Sequence, residues 1–183
     1  DLVGNRTRMT GVNVAANSPD DHTRALYPLD EGEGTAGAGS VKDTSGNNLS
    51  GTPQDVLFGR EGRFAKCAEF TGESGNAITV PDSEKLEFGS CDFTVEAWIK
   101  PGLLGTGSRV ILSKWNETEG KREFLLKLAG DWFIEAAVSD GTSSITLRSD
   151  ESILAKWAHV QLQRQGNELS LWIDGVKQTA TST

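Results

Sequence analysis

Residues 157–176 constrain the fold of this chain more than any other segment. Apolar and polar residues alternate over positions 160–163 and again over 169–174. A period of two puts successive side chains on opposite faces of a strand. The pairs Gly166-Asn167 and Asp174-Gly175 follow these runs, and both are typical of tight turns. The segment therefore predicts a meander of antiparallel strands.

The length and composition are those of a folded, turn-rich protein. A chain of 183 residues suits one domain, and 36% hydrophobic residues with 21 glycines supply both a core and many turns. With 18 Lys and Arg against 26 Asp and Glu, the net charge of -8 repels phosphate backbones and anionic membranes, so we expect no nucleic-acid partner. No apolar run approaches the roughly 20 residues that span a bilayer, so we expect no membrane span.

Short strands with turns between them are predicted along most of the chain. Residues 1–24 are polar and predict an extended leader or linker, and the glycine-rich residues 30–51 predict a loop. A helical turn is predicted only over residues 82–86. Many strands without crossover helices predict an all-β antiparallel β-sandwich or jelly roll. Outside the meander, the predicted strands are 25–29, 55–58, 66–70, 77–80, 93–99, 109–114, 123–128, 132–139 and 142–148.

Several short motifs, in their order along the chain, resemble one family. Trp157-Ala-His159-Val and Trp172-Ile-Asp174-Gly-Val are similar to its W-x-H-V strand and Y-V-D-G-V hairpin. The other similar pieces are Leu26-Tyr-Pro-Leu-Asp30-Glu31-Gly32, Asp43-Thr-Ser45-Gly46-Asn47, Ala68-Glu-Phe70-Thr-Gly72 with Ile78-Thr-Val-Pro81-Asp82, and Phe93-Thr-Val-Glu-Ala-Trp98-Ile-Lys-Pro101. From about residue 25 to 179 the chain resembles the laminin-G-like and concanavalin A-like lectin modules. The resemblance implies a concanavalin A-like jelly roll.

The resemblance also implies the domain limits. It places a laminin-G-like jelly-roll domain over residues 25–183, after the leader of residues 1–24. Members of the family continue beyond the Y-V-D-G-V hairpin to a last strand that pairs near the N-terminal strand, so we expect this domain to be C-terminally incomplete. Three explanations stay open: the polypeptide was truncated, residues 1–24 fill the gap, or a strand from a partner chain completes the sheet.

No catalytic residues are predicted. Family glucanases carry an E-x-D-x-x-E strand, because a retaining pair of carboxylates must lie about 5–5.5 Å apart, and the sequence lacks this triplet. Glu96 and Glu135 stand alone on their strands and are interpreted as solvated residues. His22 and His159 have no motif that supplies a nucleophile. We therefore expect a protein that is not an enzyme, with a glycan-cleaving enzyme as the least favoured alternative.

A structural calcium ion is implied by the resemblance. In many relatives an ion ties the D-x-S-G-N loop region to the terminal strands, and calcium takes several oxygen ligands from flexible loops. The alternative is an Asx-turn, in which the Asp43 carboxylate accepts hydrogen bonds from its own backbone. The candidate Ca²⁺ ligands are Asp30, Glu31, Asp43, Ser45, Asn47 and Asn48.

Aromatic side chains near turns are the candidate ligand contacts. A tryptophan ring packs against the apolar side of a pyranose, although core packing is the usual role of a Trp in a strand. Trp98 and Trp157 coincide with family core positions, which leaves the other tryptophans for a ligand. In the pentraxin branch of the fold, the loop that corresponds to residues 115–118 holds calcium on the ligand-binding face. The candidate ligand-binding residues are Trp115, Asn116, Glu117, Trp132 and Trp172.

The cysteines and the N-glycosylation sequons indicate the cellular compartment of the protein. Cys67 and Cys91 are either a disulfide or two buried thiols, and two cysteines are too few for a tetrahedral zinc site. Candidate N-glycosylation sites begin at Asn5, Asn48 and Asn116. These features favour a secreted, extracellular or cell-surface protein.

The resulting hypothesis is a non-catalytic extracellular binding or adhesion module. It recognises a glycan or an extracellular protein through loops at one rim of the sandwich. The alternative is an assembly subunit whose open sheet is completed by a strand from another chain or segment. A monodisperse monomer that resists dilution would count against this alternative.

Overall fold

A computed structural model of the protein describes residues 18–102, 107–116 and 121–179. Over these residues the protein is all-β, with antiparallel sheets and a short 3-10 helix, which confirms the predicted fold class. The described residues form two compact units, one ending at residue 86 and the other beginning at residue 87. The domain boundary at residues 24 and 25 stays a prediction. No helix in the described ranges is long and apolar enough to cross a membrane.

The first unit contains two short antiparallel pairs and the 3-10 helix. Its elements are β1 (Thr52–Gln54), β2 (Leu57–Glu61), β3 (Lys66–Glu69), β4 (Ala77–Thr79) and the 3-10 helix (Glu84–Leu86). β1 pairs with β4, and β2 pairs with β3. Val41, Val56 and Phe58 are buried together and form a small apolar core, against which Tyr27 packs.

The second unit contains two four-stranded sheets. Its strands are β5 (Phe93–Ile99), β6 (Arg109–Asn116), β7 (Lys121–Leu128), β8 (Phe133–Ser139), β9 (Ser144–Ser152), β10 (Ala158–Gln165), β11 (Glu168–Ile173) and β12 (Val176–Lys177). The sheet orders are β12-β11-β10-β5 and β6-β7-β8-β9. Asp174 and Gly175 have φ values of 49° and 78°, the left-handed conformation of a tight hairpin turn. The predicted meander is therefore present as β10, β11 and β12.

β10 contributes its apolar positions to a core that the two sheets share, although Gln161 and Gln163 between these positions are also buried, at 6% and 5% exposure. Val160 and Leu162 have no exposed surface, and Leu162 pairs with Leu171 on one side and Val95 on the other. The second sheet contributes its own apolar face to the same core. The buried residues of this shared core are Phe93, Phe124, Leu126, Leu128, Ile134, Ala136, Leu147, Ile153, Ala158, Val160, Leu162, Leu171 and Ile173.

The N-terminal side differs from expectation at two places. The strand predicted over residues 25–29 is wrong: the segment forms no strand, and at its end Leu29 has a φ of 57°, outside strand geometry. The segment is held by side chains instead, and the Tyr27 hydroxyl donates a hydrogen bond to the Leu49 carbonyl at 2.6 Å. The sequence pattern does not predict β1, which contains Pro53, a residue without an amide donor for the sheet ladder.

Candidate ligand-binding cleft

A cleft of about 380 Å³ opens at one end of the second unit. The β8–β9 turn, the β10–β11 turn and the segment before β5 form its walls. This volume lies in the range of small-ligand sites. The lining residues are Ser90, Val138, Ser139, Asp140, Ser143, Ile145, Arg164, Gly166, Asn167 and Leu169.

The β8–β9 turn is held by its own side chains. Asp140 Oδ1 accepts hydrogen bonds from the amides of Thr142 at 2.8 Å and Ser143 at 2.7 Å. Ser139 Oγ donates to the Ser143 carbonyl at 2.8 Å and accepts from the Gly141 amide at 3.0 Å. Hydrogen bonds from the Ser143 and Thr142 amides lower the pKa of Asp140 below its ordinary value. The turn therefore places a charged carboxylate at the cleft at neutral pH.

Arg164 anchors the facing wall. Its Nε atom donates to the Cys91 carbonyl at 2.9 Å, and its Nη2 atom donates to the Gly89 carbonyl at 2.6 Å and also to the Cys91 carbonyl. The Gly166 amide donates to Asp92 Oδ1 at 2.7 Å. These contacts join the β10–β11 turn to the segment that precedes β5.

An apolar patch lies beside these polar groups. Val138 and Leu169 pack at the edge of the shared core, and the Ile145 side chain is 53% exposed. Asp140 supplies an acceptor, and the amide group of Asn167 supplies both a donor and an acceptor. The cleft thus combines an apolar surface with a few polar groups, and it is widely open to solvent.

The predicted ligand residues do not line this cleft. Trp115 and Asn116 end β6, at the same end of the sheet where β8 ends, and two strand spacings place these strands about 10 Å apart. Trp132 precedes β8 at the opposite end of that sheet. Trp172 lies on β11 in the other sheet, half-buried, and Glu117 is outside the described residues. Ligand contact by these residues stays a prediction.

The predicted calcium loop centres on Asp43. Its carboxylate accepts hydrogen bonds from the amides of Leu26 and Leu49 and from both the amide and the hydroxyl of Ser45. Burial opposes ionisation, but the hydrogen bonds from Leu49 and Ser45 outweigh it and lower the pKa of Asp43 below its ordinary value. This geometry is the Asx-turn of the alternative interpretation.

The other predicted calcium ligands are placed around this turn. Glu31 Oε1 accepts the Lys42 amide at 2.9 Å, while Asp30 and Asn48 are exposed. Within the described ranges, no group of three or more His, Cys, Asp or Glu side chains is placed to hold a metal ion. Calcium binding stays a prediction.

The cysteines and sequons fall on accessible segments. Cys67 lies on β3, with its Sγ atom 3.5 Å from the Glu61 carbonyl oxygen, and Cys91 is exposed before β5. Both are thiols in this structure, so the disulfide stays a prediction. Asn48 and Asn116 are exposed, as glycan attachment requires, and Asn5 lies outside the described residues.

Glu135 belongs to a charge network on the β6–β9 sheet. Its two carboxylate oxygens lie 2.8 Å from Lys127 Nζ and 2.6 Å from Arg148 Nη1, and Arg148 also pairs with Asp131. The hydrogen bond from Lys127 lowers the pKa of Glu135, and Arg148 lowers it further, against the opposing effect of burial. The general acid of a glycosidase needs a raised pKa. The pKa of Glu135 is lowered, which is the opposite of what that role requires.

We expect the contribution of Glu135 to stability to disappear in acid. Its folded pKa lies below 4.5, so its ion pairs stabilise the fold above about pH 4.5, and this contribution is lost as the pH falls through the folded pKa. Urea unfolding at pH 7 should find Glu135→Gln less stable by about 1 kcal/mol, with a smaller difference at about pH 3. Glu84→Gln, an exposed site, is the control. Equal differences at both pH values would contradict a role for the charge.

The sequence does not predict the cleft, although it contains signals for both turns. Asp140-Gly141 and Gly166-Asn167 are each predicted as turns from their residue types alone. Their meeting depends on which strands are neighbours and on how the two sheets face each other, and neither follows from the local pattern.

Comparison with known proteins identifies the family. A laminin G family model, described as the concanavalin A-like lectin/glucanases superfamily, matches residues 71–183, more than half of the chain. The comparisons with curated proteins and with solved structures gave no match. The matched residues include both four-stranded sheets and every residue that lines the cleft. The chain belongs to the concanavalin A-like lectin/glucanases superfamily.

Proposed function

We propose that the chain is a non-catalytic, lectin-like binding module that recognises a glycan in the cleft between the β8–β9 and β10–β11 turns. The superfamily contains lectins, which supports a binding function. The observation that carries the proposal is the presence of the exposed Ile145 beside Asp140 and Asn167 in one cleft. A pyranose ring offers the complementary surface, because it has an apolar face and hydroxyl groups around its edge.

The hydrogen bonds within the cleft walls support specific binding. The Asp140 and Ser139 side chains hold one turn, and Arg164 and Asp92 hold the other wall. A site that is already ordered loses less conformational freedom when the ligand arrives. A small ligand such as one sugar residue offers few contacts. A lower entropic cost of ordering the site therefore has a larger effect on the affinity of a small ligand than on that of a large one.

The carboxylates support binding rather than cleavage. Asp140 is the carboxylate among the lining residues, whereas glycoside hydrolysis by the usual mechanism needs two, one of them protonated. The lowered pKa of Asp140 keeps it ionised, so it accepts hydrogen bonds from sugar hydroxyls and does not donate a proton at neutral pH. Incubation with polysaccharides should therefore release no reducing sugar.

An extracellular location is part of the proposal. Asn48 and Asn116 are exposed at sequons, which supports secretion. Expression through a eukaryotic secretory pathway, followed by mass spectrometry of the peptides that contain these residues, tests whether glycans are attached. Unmodified peptides at both sites would remove this support.

Glycan binding is tested with two substitutions in the cleft. On an array of neutral and acidic glycans, the protein should bind a defined subset, and Asn167→Ala should weaken the dissociation constant for the best ligand about tenfold, the loss expected for about 1.4 kcal/mol. Ile145→Ser should weaken it similarly by removing the apolar contact. Ser113→Ala, exposed on β6 and outside the lining, is the matched control and should bind normally.

Three outcomes would count against the proposal. Equal affinity of both cleft variants and the parent protein would place the glycan site elsewhere. No binding on the array would contradict glycan recognition itself. Binding to an extracellular protein that Asn167→Ala weakens would assign the cleft to a protein ligand.

A further inference from the structure

We propose that the loop of residues 43–49 is closed by the protein's own donors, with the Lys85 ammonium taking the cationic role that the family resemblance gives to calcium. The first unit then does not depend on calcium for its stability. The proposal concerns the first unit and is independent of the glycan site.

The Asp43 carboxylate has little capacity left for a metal ion. Its Oδ1 atom accepts the amides of Leu26 at 3.0 Å and Ser45 at 2.9 Å. Its Oδ2 atom accepts the Ser45 hydroxyl at 2.9 Å and the Leu49 amide at 3.0 Å. Each oxygen therefore faces two positively polarised hydrogens, and a cation that approached the oxygens would have to displace them.

Asn47 joins three parts of the first unit. Its side-chain Nδ2 atom donates to the carbonyls of Thr23 and Arg24, each at 3.0 Å. Its Oδ1 atom accepts a hydrogen bond from Lys85 Nζ at 2.7 Å. The amide oxygen that calcium would use as a ligand is thus already in contact with a positive charge, and a divalent ion bound there would be repelled by the ammonium.

The remaining candidate ligands do not complete a calcium site. Calcium takes six to eight oxygen ligands at about 2.3–2.6 Å. Glu31 Oε1 accepts the Lys42 amide, and Glu31 Oε2 is buried with no hydrogen-bond partner among the described residues, so this side chain offers one oxygen of the six to eight. Asp30 is exposed. The donor set in this conformation fits an Asx-turn with an ammonium partner, and it does not fit a calcium ion.

Lys85 also explains how the turn is joined to the end of the first unit. It lies in the 3-10 helix Glu84–Leu86, which follows β4, whereas Asn47 precedes β1. The Lys85–Asn47 hydrogen bond therefore links segments that are 38 positions apart. The link is charge-assisted, but it is exposed, so solvent screens it and its contribution to stability is modest.

Calorimetric unfolding of the whole chain tests the proposal. The parent protein should have the same unfolding temperature, within about 1 °C, in millimolar CaCl₂ and in EDTA. Lys85→Met should lower the unfolding temperature of the first unit by about 2–4 °C in both solutions. Lys66→Met, an exposed lysine on β3, is the matched control and should leave it unchanged.

Two results would overturn the proposal. A rise in the unfolding temperature with calcium that Asp43→Asn abolishes would show that the loop does bind the ion. Equal unfolding temperatures for Lys85→Met and Lys66→Met would show that the ammonium does not hold the loop. Isothermal titration of the parent protein with CaCl₂ gives a second measure, and binding heat that is lost in Asp43→Asn would have the same meaning as the first result.

Discussion

Replacing Leu162 by alanine should lower the free energy of unfolding of the second unit by about 2–5 kcal/mol. Leu162 has no exposed surface and lies between Val95 and Leu171 in the middle of its sheet. The shortened side chain leaves a cavity, because two sheets held by their backbone hydrogen bonds cannot close around it. The five tryptophans, at positions 98, 115, 132, 157 and 172, all belong to this unit, so urea unfolding followed by tryptophan fluorescence reports on it.

Val176→Ala is the control for this prediction. Val176 lies on β12 and is 63% exposed, so its truncation should change the free energy of unfolding by less than about 0.5 kcal/mol. Equal losses for Leu162→Ala and Val176→Ala would contradict the shared core between the two sheets.

Replacing Asp43 by alanine should destabilise the first unit by about 3 kcal/mol. The amides of Leu26 and Leu49 and both donors of Ser45 lose their acceptor. A donor left unsatisfied when buried costs about 1–3 kcal/mol, and water compensates part of this at a site that is only half-buried. Hydrogen exchange should show the Leu26 and Leu49 amides about 100-fold less protected, which corresponds to about 2.7 kcal/mol.

Asp30→Ala is the matched control, because Asp30 is an exposed aspartate of the same region. It should change the free energy of unfolding by less than about 0.5 kcal/mol. Unchanged protection of the Leu26 and Leu49 amides in Asp43→Ala would show that the Asx-turn does not hold this loop.

The second unit follows its sequence closely. The strand predicted over residues 93–99 has the same bounds as β5, and the predicted meander forms β10, β11 and β12. In each case a two-residue apolar period coincides with turn residues at the ends, which predicts the strand. On β10 the period does not predict the burial of the second face, because Gln161 and Gln163 are buried as well. Here the local pattern is sufficient to predict the strands.

The first unit depends on side-chain contacts that no periodic pattern reveals. Residues 25–29 have the composition of a strand, yet they are held by the Asp43 carboxylate and by the hydrogen bond from Tyr27 to Leu49. The same Asp43 motif also implies a calcium ligand. An aspartate that accepts amide hydrogen bonds and an aspartate that binds a cation can occur in the same sequence motif. The hydrogen-bond partners of Asp43 support the Asx-turn, and these partners are known only from the structure.

The sequence by itself determines the all-β class, the strands and turns of the second unit, and the family. These properties arise from residue types at short spacing, where alternation and turn chemistry act locally. The tertiary structure alone decides that the Asp140 and Gly166 turns meet at one cleft, that Glu135 is ion-paired, and that Lys85 contacts Asn47. Each of these joins residues that are distant along the chain or on different strands, and their contact depends on strand order and sheet packing, which the local pattern does not encode.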